Sequence, residues 1–145
     1  MSRSIEVGAF VLLVGATLGA TIHREPGIKV HCTTRHVAQP QDEIWDFCFD
    51  RDVVIDIRIS EVSLASNRWV KLHAQTANTL AETDFETVLS LVFNEASDTT
   101  PKGEHALLST NSNVPLGRFV RWEVEFQDTL STQYVVFGAE LVGRP

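Results

Sequence analysis

Apolar and polar residues alternate with a period of two along most of the chain after Gly27, which is the signature of strands with one buried face. Ile28, Val30 and Cys32 alternate with Lys29, His31 and Thr33, and a short run follows in which Trp45, Phe47 and Phe49 alternate with Asp46, Cys48 and Asp50. The clearest strand sets Val53, Ile55, Ile57 and Ile59 against Val54, Asp56, Arg58 and Ser60. Val70, Leu72 and Ala74 then oppose Lys71, His73 and Gln75. Phe85, Thr87, Leu89, Leu91 and Phe93 form an inward series, with Val88 and Val92 on the other parity pointing to burial on both faces. Two late segments complete the pattern: Val120, Trp122, Val124 and Phe126 against Arg121, Glu123 and Glu125, and Val135, Phe137, Ala139 and Leu141 against Tyr134, Val136, Gly138 and Glu140.

Breakers separate these runs: Pro26-Gly27, Pro40, Ser66-Asn67, Pro101-Lys102-Gly103, and Asn111-Ser112-Asn113 before Pro115 and Gly117. Strand candidates at this spacing predict an all-β, antiparallel β-sandwich of jelly-roll or immunoglobulin-like arrangement. Long helices are not expected. The stretch Thr76 to Thr87 is the best helical alternative, but its polar residues fit a loop equally well.

The segment before this pattern differs in kind. Gly8 to Ile22 carries no charge and holds the run Phe10-Val11-Leu12-Leu13-Val14 among three glycines. It is shorter than the ~20 residues of a membrane-spanning helix, and each glycine costs a helix about 1 kcal/mol relative to alanine. A cleaved leader is not expected, because Arg3 is offset by Glu6 and the pair Leu18 and Ala20 makes an imperfect cleavage site. Strand and helix both remain open, and either must be buried. The chain thus divides into an apolar N-terminal arm or strand segment, residues 1–26, and a sandwich domain, residues 27–145. Phe10, Val11, Leu12, Leu13 and Val14 are the expected assembly interface, packed against neighbouring subunits.

With 145 residues, 43% hydrophobic and 21% charged, the chain is long enough for a core that needs neither metal nor disulfide. Its net charge of −7, without a run of basic residues, disfavours direct nucleic-acid binding. Cys32 and Cys48 match no zinc spacing and leave two readings: buried free thiols, which is the ordinary fate of such residues, or one bridge.

Candidate chemistry is sparse. His31 and His36 lie five apart beside Cys32, but residues at odd separation on a strand face opposite ways. Asp42, Glu43, Asp46, Asp50 and Asp52 could offer oxygen ligands to Ca²⁺, yet they lack the spaced D-x-D-x-D-G loop and read as a solvated acidic edge. No G-x-S-x-G elbow and no glycine-rich phosphate loop occurs, so neither an enzyme nor a cofactor is expected. Trp122 falls on the core parity, Trp45 lies among aromatics and acids, and Trp69 shares the parity of Lys71, where it would suit a sugar-stacking platform or a subunit contact.

The succession Val54-Ile55-Asp56-Ile57-Arg58-Ile59, Val70 to Ala77, Phe85 to Leu89, and Pro115-Leu116-Gly117-Arg118-Phe119-Val120-Arg121-Trp122 resembles small β-sandwich structural proteins of tailed phages and phage-like particles. The Leu-Gly-Arg-Phe-Val-Arg-Trp run is also similar, more weakly, to a late strand of discoidin-like carbohydrate-binding sandwiches. With the last strand, ending Glu140-Leu141-Val142-Gly143-Arg144, the resemblance covers about ninety residues, Val53 to Val142, and its motifs describe strands and a turn. Read without any family, Pro115 and Gly117 set a turn and Phe119 begins a strand, placing Arg118 and Arg121 to pair with acids across the sheet or a subunit boundary. Trp69, Arg118 and Arg121 are accordingly the expected surface contacts. The resemblance implies a non-enzymatic subunit of a virion or virus-like particle (capsid, head-decoration or tail component), assembled in the host cytoplasm. Its expected partners are itself, as a symmetric homo-oligomer, and other particle proteins, with no membrane. A carbohydrate-binding module is the first alternative. A pilin-like filament subunit is the second, because Glu6 precedes the apolar stretch and a β domain follows.

Overall fold

The computed structural model describes residues 21–47 and 50–145. Among the described residues nine strands run in chain order: β1 (Thr21–His31), β2 (His36–Ala38), β3 (Trp45–Asp46), β4 (Asp52–Ser63), β5 (Trp69–Ala77), β6 (Glu86–Asn94), β7 (Lys102–Ser109), β8 (Phe119–Phe126) and β9 (Tyr134–Arg144). Two single 3₁₀ turns, Gln41–Glu43 and Glu82–Asp84, are the described helical pieces. The stretch Thr76 to Thr87 is therefore not a helix: it holds the end of β5, a loop over residues 78–85 with one such turn, and the start of β6.

One sheet has the order β1-β9-β4-β7 and the other β2-β8-β5-β6, with β3 also paired to β8. All described pairings are antiparallel. The connections β4 to β5, β6 to β7 and β8 to β9 each cross between sheets, so strands pair first with last and inward from there. That is the jelly-roll order, and it decides between the two sandwich arrangements that alternation alone leaves open.

The inward parity read from the sequence holds on the central strands. Val53, Ile55, Ile57 and Ile59 of β4, Val120, Val124 and Phe126 of β8, and Val135, Phe137 and Leu141 of β9 are all within 3% of full burial. Trp122 meets Phe137 edge to face across the sandwich, ring centroids 5.5 Å apart. Each such large side chain stabilises the fold by roughly 1.5–3 kcal/mol through buried area.

Other elements depart from the simple pattern for local reasons. Pro26-Gly27, expected as a break, lies inside β1 as an irregularity: Glu25 pairs with Ala139 and Ile28 with Phe137, so one extra residue shifts the inward parity from odd to even. The described part of β1, from Thr21 on, runs through Pro26, the last residue of the expected arm. In β6, Leu89 pairs with Ala74 and Thr87 with Gln75, which skips Val88 and leaves Leu91 and Phe93 as the buried members of the expected series. Along one edge of β8, the gap between β2 and β3 is closed by Gln39, whose side-chain oxygen accepts from the Trp122 N–H at 3.1 Å. β7 carries no apolar alternation, since Glu104 and Ala106 precede Leu108 on its inner face, and it forms an edge strand.

Candidate functional site

The outer faces of the two sheets are finished differently. On the five-stranded sheet, outward side chains of β8, β5 and β6 form a bonded network. His73 joins Ser90 Oγ at 2.7 Å through Nδ1 and Glu125 Oε1 at 3.0 Å through Nε2, which ties three strands together. With Nε2–H donating to the carboxylate, Nδ1 accepts from the serine hydroxyl. Arg35 reaches Glu125 at 3.3 Å and His36 reaches Glu123 at 3.5 Å. Burial works to raise the Glu125 carboxyl, but the His73 hydrogen bond and the charges of His36, His73 and Lys71 outweigh it and hold the group below its ordinary range.

A serine, an imidazole and a carboxylate in sequence are the parts of a nucleophilic relay. A relay also needs donors for an oxyanion. Backbone N–H groups of a strand lie in the plane of the sheet, whereas Ser90 Oγ stands off its face, so the strand supplies none there. The triplet acts as a cross-strand clamp.

Arg121 belongs to the same face. Expected at the surface, it is 3% exposed. Its Nε donates to Gln75 Oε1 at 2.8 Å, its terminal nitrogens donate to Glu82 at 2.9 and 2.5 Å, and its guanidinium lies 4.0 Å from the centre of the Phe85 ring. The loop after β5 folds over the arginine, which is how an outward residue becomes buried. The Arg121 hydrogen bond holds the Glu82 carboxyl below the usual carboxylate range.

Arg118 is exposed and forms a two-pronged pair with Asp46, Nε to Oδ1 at 3.1 Å and Nη2 to Oδ2 at 2.8 Å, fastening β3 to the start of β8. Gly117 before it must be glycine, because a Cβ there would stand 2.5 Å from the backbone of Ala77. Its N–H donates to Thr76 Oγ1 at 2.9 Å. The Leu-Gly-Arg-Phe-Val-Arg-Trp run is thus a turn docked on β5, followed by a strand with one buried cation.

Trp69 opens β5 half-buried, with Lys71 Nζ 4.5 Å above its ring. Trp45 is 5% exposed and donates from Nε1 to Glu25 Oε2 at 2.8 Å, which removes it as a stacking platform. Asp46 and Asp52 of the acidic run are held by Arg118 and Arg144. Among the described residues no group of three or more His, Cys, Asp and Glu could hold a metal. Cys32 is a buried free thiol bonded to the Asp128 carbonyl at 3.3 Å, and burial pushes its pKa up. Cys48 lies outside the described residues.

The outer face of the four-stranded sheet carries a feature that the sequence reading missed. Ile22 pairs with Val142, Val142 with Val54, and Val54 with Leu107. These residues share the outer parity of β1, β9, β4 and β7, so they form one apolar row across every strand of the sheet. Ile22 is 55% exposed, Val54 43% and Leu107 59%. Polar rows flank it on both sides. Arg24 pairs with Glu140, Nε to Oε2 at 2.7 Å, in register with Asp56 and His105, and Arg144 pairs with Asp52 at 2.7 and 2.8 Å. Cross-strand neighbours of this kind stabilise a sheet by about 0.2–1 kcal/mol a pair. Threonines would serve that purpose on a wet face, so the pairing alone does not account for the exposed Ile22 and Leu107. Phe10, Val11, Leu12, Leu13 and Val14 lie outside the described residues.

No protein-family profile matches the chain, and no curated relative does. Among solved structures, the chain is similar to VP2 of infectious bursal disease virus in its subviral particle, with a TM-score of 0.51 at 8% identity over 86% of this chain and 32% of that one. The chain therefore spans about a third of that protein's length. It also overlays on a pilus subunit of Bacillus endospore appendages, described as a novel family of disulfide-linked pili, with a TM-score of 0.48 at 9% identity over 86% and 89% of the two chains. At such identity the likeness to VP2 is one of fold. Among the described residues no helix is long and apolar enough to cross a membrane.

Proposed function

We propose that this protein is a non-enzymatic structural subunit that assembles with copies of itself into a particle of the virion type, as a capsid, decoration or tail component of a phage or phage-like body. The observation that carries this reading is the apolar row Ile22-Val142-Val54-Leu107, set in register on the solvent face of a jelly-roll sheet and bordered by ion pairs. An apolar centre with a charged rim is the anatomy of a protein interface. The jelly roll is a fold that capsids use, and lectins and cupins use it too, so the fold supports the reading without deciding it.

Light scattering on the purified full chain tests the proposal. A mass of several subunits, or particles visible by negative-stain microscopy, is expected. A monomer at tens of micromolar would overturn it, as would glycan binding that is lost in Trp69→Ala.

A further inference from the structure

The apolar row is too small to hold subunits together by itself. With three of its members roughly half exposed, it offers on the order of 300 Å². A standard interface buries about 800 Å² on each partner. A little over half of such a surface is apolar, about 450 Å² a side, so row against row falls short of it and a segment richer in apolar side chains makes the better occupant.

The chain contains such a segment. Residues 8–22 are uncharged and include the five consecutive apolar residues Phe10 to Val14. This stretch leads directly into Thr21 and Ile22, the first described residues of β1. Seven residues intervene between Val14 and Ile22, giving a reach of about 26 Å when extended. Three interstrand steps, about 14 Å, separate Ile22 from Leu107. The direction of β1 also matters. The chain enters this strand at the end of the sheet marked by the Arg144–Asp52 pair, with Thr21 opposite Gly143. A segment preceding Thr21 would have to reverse and recross that charged row to cover the row of its own sheet. A segment that kept the direction of β1 would leave its own sheet at that end, where a second copy could receive it.

We infer that the Phe10–Val14 segment of one copy docks on the Ile22-Val142-Val54-Leu107 row of a second copy, so that subunits are joined by exchanged arms. This rests on the self-assembly reading above and names the surface and the occupant. An uncharged apolar segment matches the row, and the ion pairs on either side set the width of the seat.

Two full-length variants and a cross-link test the inference. Leu12→Asp with Val14→Asp removes the apolar character of the arm, and Leu107→Ser alters the row at its most exposed member. Both are expected to weaken assembly at least tenfold by light scattering while the melting temperature of the domain stays close to that of the parent. For the cross-link, Leu12→Cys chains with one affinity tag are mixed with Val142→Cys chains carrying another and treated with a short bismaleimide. Conjugates joining the two tags are expected. A cross-link that forms only within a single chain carrying both substitutions would show the arm on its own sheet and overturn the inference, and so would the absence of any product. If the parent assembles but the arm variant assembles equally well, the docking inference falls and the self-assembly reading stands. A monomeric parent would remove both.

Discussion

The two outer faces of this sandwich share strand length, twist and pairing rules, yet one is chemically closed and the other open. On the five-stranded sheet, His73, Ser90, Glu125, Arg121, Gln75 and Glu82 satisfy one another, and the loop after β5 covers part of the face. On the four-stranded sheet, ion pairs occupy two rows and leave an unbonded apolar row between them. A face whose polar groups are mutually satisfied offers little to a partner, since docking would have to break bonds that already exist. An apolar row gains by leaving water and loses no hydrogen bond in doing so. On the proposed function, the first face serves stability and the second association.

The largest effect on stability is expected within the closed face. Arg121→Met should cost about 2–3 kcal/mol by urea unfolding, because it strips charged hydrogen bonds from buried Gln75 and from Glu82. Oligomer size should not change. Altered assembly with normal stability would place this arginine in an interface after all.

Gly117→Ala should come next, at about 2 kcal/mol, because the new Cβ meets the Ala77 backbone and the turn must shift. A melting curve identical to that of the parent would show that the turn yields freely.

His73→Leu should cost about 1–2 kcal/mol by removing the clamp between β6, β5 and β8. The same network predicts the response to acid. The Glu125 and Glu82 carboxyls sit below their ordinary value of 4.5 in the folded chain, so the stability they contribute is full above that value. It is lost as pH falls through the lowered folded values. Glu82→Gln and Glu125→Gln should each flatten the drop in melting temperature below pH 4.5, and an unchanged acid limb would break the assignment.

The smallest effect on stability is expected on the open face. Arg24→Gln removes an exposed pair at the rim and should leave the melting temperature within error of the parent, as should Leu107→Ser, while assembly weakens far more in Leu107→Ser than in Arg24→Gln. Loss of folding in Leu107→Ser would return the row to a purely structural role.

Much of the fold is written locally. Alternation of Val53 to Ile59, Val120 to Phe126 and Val135 to Leu141 marks inward faces correctly, because a strand packed on one side must alternate whatever its neighbours are. β7 escaped because an edge strand with one strongly buried residue, Leu108, needs little apolar patterning. The course of β1 escaped because the extra residue at Pro26-Gly27 reverses its parity midway. Arg121 reads as a surface residue from its parity alone, and only the loop carrying Glu82 and Phe85 buries it.

What the sequence by itself determined is an antiparallel sandwich with a charge-free N-terminal stretch, since period and composition are properties of adjacent residues. The choice of jelly roll came from tertiary structure, because strand order is settled by which edges pair and not by what any one strand contains. The apolar row was decided at the same level. Ile22, Val54, Leu107 and Val142 are scattered along the chain, and a single exposed aliphatic residue is ordinary on any protein surface. They become a surface only when the register of three strand pairings lines them up, and a slip of one residue in any of them would turn that strand's member of the row into the core.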